Sequence, residues 1–121
     1  MSLEVRVTKE RDSVYTLYLA GSLDTNTYRS LEKEVEPILE KKAKVVVFDM
    51  EGVTYISSMG ISVILRTKRI VEGNSGTFIT MNLKPQVKKV FDIIKALPVH
   101  NIFTGREELD RYLAKMQQQD S

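Results

Sequence analysis

A chain of 121 residues is long enough to form one domain with its own hydrophobic core. Its 18 basic and 16 acidic side chains leave a net charge of +2, so neither nucleic acid nor an anionic membrane is expected as the main partner. The chain has no cysteine, no apolar signal-peptide core and no apolar run near the ~20 residues that span a bilayer, which excludes disulfides, thiolate metal sites and direct membrane insertion.

The first third of the chain predicts a β-hairpin followed by a helix. Apolar and polar residues alternate over residues 3–8, and residues 14–20 form the partner strand after a polar turn. Residues 21–26 are rich in turn and cap formers. Pro37 predicts a kink or a fresh start in the helix that follows. The apolar side of this helix consists of Tyr28, Leu31, Val35, Ile38 and Leu39.

The most informative pattern lies in the middle of the chain. The run at 45–48 is β-branched and does not alternate, which indicates a strand buried on both faces that ends in Asp49. Residues 50–56 then lead to a turn at 57–60, and the apolar spacing after it predicts a helix with one buried face. Two adjacent serines therefore stand at a helix start, where unpaired N–H groups and the positive dipole end suit both a serine cap and a phosphate.

The last third predicts a strand and two helices. A turn at 73–76 precedes a strand at 77–81, and a short apolar piece spans 99–103. One helix begins near Pro85, and another follows Thr104, which has Glu107 three residues on as a capping box. The helices repeat an i, i+3, i+4, i+7 spacing, the first at Val87, Val90, Phe91 and Ile94 and the second at Leu109, Tyr112, Leu113 and Met116.

This order of elements predicts an α/β fold. We expect a small mixed β-sheet, built from the N-terminal hairpin plus parallel strands, with about four helices packed on it. We also expect a single domain over residues 1–121, with its core at 3–116 and a polar tail at 117–121. Without a secretory or membrane signal, the expected location is cytoplasmic.

Two spaced motifs resemble those of the STAS domain. Residues 19–24 are similar to the family's G-x-L-D turn, and residues 45–61 are similar to its strand, turn and helix, D-x-S-x-V-x-x-[I/M]-D-S-S-G. The similarity spans roughly residues 3–116. A bare STAS domain of this length resembles a bacterial anti-sigma factor antagonist, which implies a regulator of transcription that is no enzyme and needs no cofactor. Its unmodified form binds an anti-sigma factor, often a serine kinase, and so frees a sigma factor. Phosphorylation of the motif serine ends this binding, and a phosphatase reverses it.

The resemblance also implies site residues. Aligned on residues 63–65, the phosphoacceptor falls on Ser58, the family's preceding aspartate on Ser57 and its second serine on Met59. Ser57 is therefore expected as the helix cap or an alternate acceptor. Asp24 matches the turn aspartate that lies beside the acceptor in this fold. The residues expected to bind the partner are Asp24, Thr25, Asn26, Met59, Gly60, Ser62 and Arg66.

Other interpretations of the same residues remain open. Ser58 can be only a helix cap, Asp24 only a turn residue or cap, and Gly60 a site of close backbone packing. The alternative function is a constitutive scaffold, or an accessory subunit of a signalling or lipid-transport complex, without phosphorylation. A nucleotide-binding domain has less support. His100, the only histidine, has no ligand-like companion, so no metal site is expected.

Overall fold

The predicted elements form in the predicted order. A computed structural model describes residues 2–94 and 102–119 of the chain. The elements are β1 (Leu3–Arg11), β2 (Val14–Leu23), α1 (Tyr28–Glu40), β3 (Val45–Ile56), α2 (Ser58–Gly73), β4 (Thr77–Met81), α3 (Pro85–Ile94), β5 (Ile102–Phe103) and α4 (Arg106–Gln119). β5 is the described part of the strand expected at 99–103. His100 lies outside the described residues.

The strands form one mixed sheet in the order β1-β2-β3-β4-β5. β1 and β2 are antiparallel, and each of the other neighbouring pairs is parallel. The hairpin strands are longer than predicted, because Lys9 still pairs with Tyr15 and Arg11 with Val14. The turn therefore shortens to two residues, and Ser13 adopts a φ of 66° in it. The expected small mixed sheet is confirmed.

β3 is the central strand, and the run at 45–48 is buried as predicted. The expectation that this strand ends at Asp49 is wrong, because β3 continues to Ile56. Its pairing with β2 becomes irregular beyond Tyr18. Gly52 allows β3 to approach β2 closely in this irregular stretch, since a Cβ at that position would lie 2.7 Å from the Cβ of Ala20.

The helices divide between the two faces of the sheet. α1, α2 and α3 cover one face, where Phe48 and Phe78 meet edge to face with ring centroids 5.0 Å apart. α4 covers part of the other face with Leu109 and Leu113. The two cores place every predicted helix against the sheet. The last residues of β2 and β3, Leu23 and Ile56, are buried in the larger core.

Two local predictions are corrected by the structure. A fresh start at Pro37 is wrong, because α1 runs without interruption from Tyr28 to Glu40. The buried Ile38 and Leu39 hold the turn that lacks the proline's hydrogen bond. The capping partner of Thr104 is also different, since its N–H and hydroxyl donate to Glu108 at 3.2 and 3.0 Å rather than to Glu107.

Candidate functional site

The candidate site lies where β2 and β3 end side by side. Leu23 pairs with Ile56 as the last residues of these two parallel strands. The backbone N–H of Ser57 then donates to the carbonyl oxygen of Leu23 at 2.9 Å. Asp24 and Ser57 each follow one of the paired residues, so the sheet brings the two sequence motifs together.

Ser57 caps helix α2. Its backbone is extended, with φ −99° and ψ 173°, and its hydroxyl oxygen accepts a hydrogen bond from the N–H of Gly60 at 3.3 Å. The carbonyl oxygen of Ser57 accepts from the N–H of Ile61 at 3.0 Å. These contacts are those of an N-cap residue. The alternative in which Ser58 serves as the cap is therefore wrong.

Ser58 is the first residue of α2 and is exposed. Its hydroxyl makes no hydrogen bond to any residue that the structure describes. Its carbonyl oxygen accepts from the hydroxyl of Ser62 at 3.1 Å. The first turn of α2 contains no acidic residue, so its positive dipole end is not compensated by a carboxylate from that turn. An added phosphate on this hydroxyl would lie at a favourable position for a negative group.

Asp24 organises the loop before α1. One oxygen of its carboxylate accepts from the N–H groups of Asn26 and Thr27, at 2.8 and 3.1 Å. Thr27 is buried; its hydroxyl accepts from the N–H of Asp24 at 2.9 Å and donates to the carbonyl of Ser22 at 2.7 Å. Asp24 thus has the structural role of a turn residue, and the loop presents Thr25 and Asn26 to solvent.

Thr27 is a residue of this loop that the sequence analysis missed. The signal was available in the Asp24-x-x-Thr27 spacing, since Asp and Thr three residues apart exchange side-chain and backbone hydrogen bonds at helix starts. Its role is local. It holds the loop that carries Thr25 and Asn26, and it is too buried to contact a partner.

The prediction that Gly60 binds the partner is wrong, because this residue is buried. A Cβ at this position would lie 2.7 Å from the carbonyl oxygen of Leu23 and 2.8 Å from its Cγ. The glycine allows the first turn of α2 to approach the strand ends closely. It shapes the site from beneath and is not accessible to a partner.

The remaining expected residues lie along α2. Met59 is 40% exposed beside Ser58, and Ser62 is exposed one turn later. Arg66 is half-buried and donates to a carboxylate oxygen of Glu36 on α1 at 3.1 Å. This ion pair joins α2 to α1. A contact between Arg66 and a partner stays a prediction.

A groove beside Ser58 was not expected from the sequence. It encloses about 440 Å³ and is lined by Tyr55, Ile56, Ser57, Ser58, Ile61 and Val90. Val90 belongs to α3, so α3 forms one wall of the site. Tyr55 is 53% exposed although it lies near the end of a central strand. The only sequence signal was Tyr55 itself, a large aromatic residue between the buried Val53 and Ile56.

Two other kinds of site receive no support from the residues described. Within ranges 2–94 and 102–119, no three His, Cys, Asp or Glu side chains come together as metal ligands. In the same ranges no helix combines the length and the apolar character needed to cross a membrane.

The fold and the strand-to-helix site define a STAS domain. The family model for the STAS domain matches residues 6–109, and the chain belongs to this family. It is 29% identical over 96 residues to BtrV of Bordetella bronchiseptica, which is named as a candidate anti-sigma factor antagonist. That match covers 79% of this chain and 83% of BtrV.

Solved structures agree with the family assignment. A candidate anti-sigma factor antagonist from Thermotoga maritima superimposes with a TM-score of 0.81 at 18% identity, covering 89% of this chain and 92% of that one. SpoIIAA of Bacillus in its phosphorylated form gives a TM-score of 0.74 at 20% identity, covering 90% and 99% of the two chains. At these identities the likeness is one of fold, and it confirms the predicted STAS-like architecture.

Proposed function

We propose that this chain is an anti-sigma factor antagonist whose binding is switched off by phosphorylation of Ser58. The observation that carries the proposal is the exposed Ser58 hydroxyl at the N-terminus of α2, which makes no hydrogen bond to the described residues. Membership of the STAS family and the similarity to BtrV support the antagonist role. The partner is then an anti-sigma factor that also acts as a serine kinase, and a phosphatase restores the unmodified form.

The division of labour between the two serines supports a switch that leaves the fold intact. Ser57 provides the cap of α2, and its hydroxyl is occupied by the N–H of Gly60. Ser58 contributes no hydroxyl contact to the described structure, so its modification removes none. A kinase can therefore transfer the γ-phosphoryl group of ATP to the Ser58 oxygen without disturbing the helix start. The β–γ phosphoanhydride bond of ATP breaks, and ADP and the hydroxyl proton are released.

The phosphate acts on the partner through charge and desolvation. It adds about −1.5 to −2 charges and three acceptor oxygens at neutral pH. The α2 dipole and N–H groups tolerate this charge within the domain. In a covered interface the same group must lose water, and any facing carboxylate repels it. A loss of ~1.4 kcal/mol already weakens binding tenfold.

The surface proposed to meet the partner includes the exposed residues on either side of Ser58. The loop before α1 contributes Thr25 and Asn26, ordered by Asp24, and α2 contributes Met59 and Ser62. Arg66 extends this surface along α2 while paired with Glu36.

The test combines modification with affinity. Candidate anti-sigma factors from the source genome are titrated calorimetrically with wild type, Ser58→Ala and Ser58→Asp, and wild type is incubated with each factor and ATP before mass spectrometry. We expect phosphate on Ser58, retained affinity for Ser58→Ala, and at least about tenfold weaker binding for Ser58→Asp. Equal affinity of all three chains, with no phosphate on Ser57 or Ser58, would remove the switch and favour the constitutive subunit.

A further inference from the structure

Exposed apolar side chains mark the α3 side of Ser58. Tyr55 and Ile93 are 53% and 70% exposed. Tyr55 lines the groove beside Ser58. Ile93 follows the groove residue Val90 by three positions, so it lies one turn along the same side of α3. Exposed apolar side chains that cluster in this way mark an interaction surface.

The groove itself supplies a concave receptor for one side chain. Its volume of about 440 Å³ lies between the end of β3, the first turn of α2 and α3. Val90 is half-buried and Ile61 is buried, which makes the inner part apolar. The hydroxyl groups of its described lining belong to Tyr55, Ser57 and Ser58, and none of the described lining residues is charged.

The groove-lining Val90 has a basic neighbour on α3. Lys89 is exposed next to Val90, and within the described residues it forms no ion pair. Lys88 is paired with Asp92 at 3.9 Å, on the side of α3 away from Val90. The first turn of α2 carries no acidic residue and contributes a positive dipole end. A complementary partner segment is therefore apolar at its centre and acidic beside it.

We propose that this groove, lined by Tyr55, Ser58 and Val90, anchors an apolar side chain of the protein partner, from a segment that carries neighbouring carboxylates. The identity of the partner as an anti-sigma factor rests on the function proposed above. Buried apolar contacts in the groove supply most of the affinity, and Ser58 on its wall supplies the control. A phosphate there lies beside both the inserted apolar group and the facing carboxylates.

The binding experiment compares exposed apolar residues inside and outside this surface. Ile93→Ser and Tyr55→Ser remove apolar area from exposed side chains, and Val7→Ser is the matched control on β1, where Val7 is 39% exposed. We expect each of the first two to weaken binding of the anti-sigma factor at least about fivefold and the control to change it less than about twofold. Lys89→Glu should also weaken binding and flatten its salt dependence.

The outcomes separate this inference from the proposed function. Unchanged affinity of both Ile93→Ser and Tyr55→Ser, with weak binding of Ser58→Asp, overturns the groove and leaves the antagonist role intact. The groove is also tested without any anti-sigma factor, by NMR titration of the ¹⁵N-labelled chain with an acetylated Glu-Glu-Leu-Leu-Glu-Glu peptide. Shifts of the Tyr55, Ser58 and Val90 amides at about 1 mM peptide support it, and a peptide with lysine in place of glutamate should bind more weakly. Absence of shifts at these amides overturns it.

Discussion

The backbone N–H of Ser57 donates to the carbonyl oxygen of Leu23 at 2.9 Å, and this bond places the start of α2 against the end of β2. The same carbonyl oxygen lies only 2.7 Å from where a Cβ on residue 60 would be, so it also limits which residue can stand there. The position of Ser58 is thus set by backbone contacts around Leu23 and by the cap that Ser57 forms. Side-chain substitutions at Ser58 should therefore leave the helix start in place.

Replacement of the cap should lower stability, and replacement of its neighbour should not. Ser57→Ala removes the acceptor of the Gly60 N–H and is expected to cost about 1 kcal/mol of the free energy of unfolding. Ser58→Ala removes an exposed hydroxyl and should change stability by less than about 0.5 kcal/mol. Urea denaturation of the two variants at equal pH measures this difference. Equal losses for both would contradict the assignment of Ser57 as the cap.

The two glycines of α2 should respond in opposite ways to alanine. Gly60→Ala places a Cβ 2.7 Å from a backbone oxygen, and overpacking of this kind costs roughly 1–3 kcal/mol. Gly73, at the other end of the helix, has no atom within 4 Å of such a Cβ. Gly73→Ala should leave stability unchanged or raise it by up to about 1 kcal/mol, because alanine is the better helix former. Thermal unfolding of both variants measures this difference. Similar losses of stability in the two variants would exclude a special role for Gly60.

Pro37→Ala should stabilise the domain. Proline inside α1 removes one helical hydrogen bond, and the exposed position of Pro37 means that little packing is lost when it is replaced. Against this gain stands the greater freedom of the unfolded chain with alanine, so the net increase should be roughly 1–2 kcal/mol. Glu34→Ala, on an exposed turn of the same helix, is the control and should stay within about 0.5 kcal/mol of wild type. A less stable Pro37→Ala chain would disagree with this account.

Arg106 should make stability depend on pH below 5. Its guanidinium donates to both carboxylate oxygens of Glu10, one at 3.0 Å, and to the hydroxyl of Tyr18 at 3.3 Å. The hydrogen bonds from Arg106 hold the pKa of Glu10 below its ordinary value, against the opposing effect of burial. Because the pKa is lower in the folded chain, the contribution is present above the unfolded pKa of about 4.3 and is lost as the pH falls through the folded pKa.

The matched variant for this prediction is Arg106→Gln. Because the Arg106 side chain is 45% exposed, solvent screens the pair, and we expect a loss of about 0.5–1 kcal/mol at pH 7. The gap between wild type and variant should remain constant from pH 7 to about 5 and shrink below about 4.3 as Glu10 is protonated. Denaturation curves at pH 7 and pH 3 decide the matter. An equal difference in the free energy of unfolding at both pH values would show that the contribution of this contact does not depend on the charge of Glu10.

The local hydrophobic pattern of the sequence correctly predicted the order of the helices and strands, but several of their ends were predicted at the wrong residues. The β-branched run at 45–48 correctly predicted a buried strand, whereas its extension to Ile56 depended on Gly52 packing against Ala20 on another strand. Similarly, the spacing of Thr104 and Glu107 predicted a capping box, but in the structure the Thr104 hydroxyl donates a hydrogen bond to Glu108 instead. Ends of elements depend on such single contacts, which periodicity does not contain.

The candidate site divides in the same way. Adjacent serines after a strand and before an apolar helical pattern were enough to locate the strand-to-helix junction. The roles of the two hydroxyls and the buried position of Gly60 follow only from where the fold places Leu23 and Ile56. Asp24 was matched by motif alone. Its hydrogen bonds within the loop, rather than with Ser58, emerged only from the folded backbone.

By itself, the sequence determined that a mixed sheet with helices would form and that Ser57 and Ser58 would stand at a helix start, because hydrophobic spacing and cap chemistry act between residues close in the chain. Only the tertiary structure decided what surrounds Ser58. Val90 reaches the groove from α3, and Glu36 takes up Arg66 from α1. These contacts join segments some 30 residues apart, and packing in three dimensions chooses such partners without leaving a periodic signal in the chain.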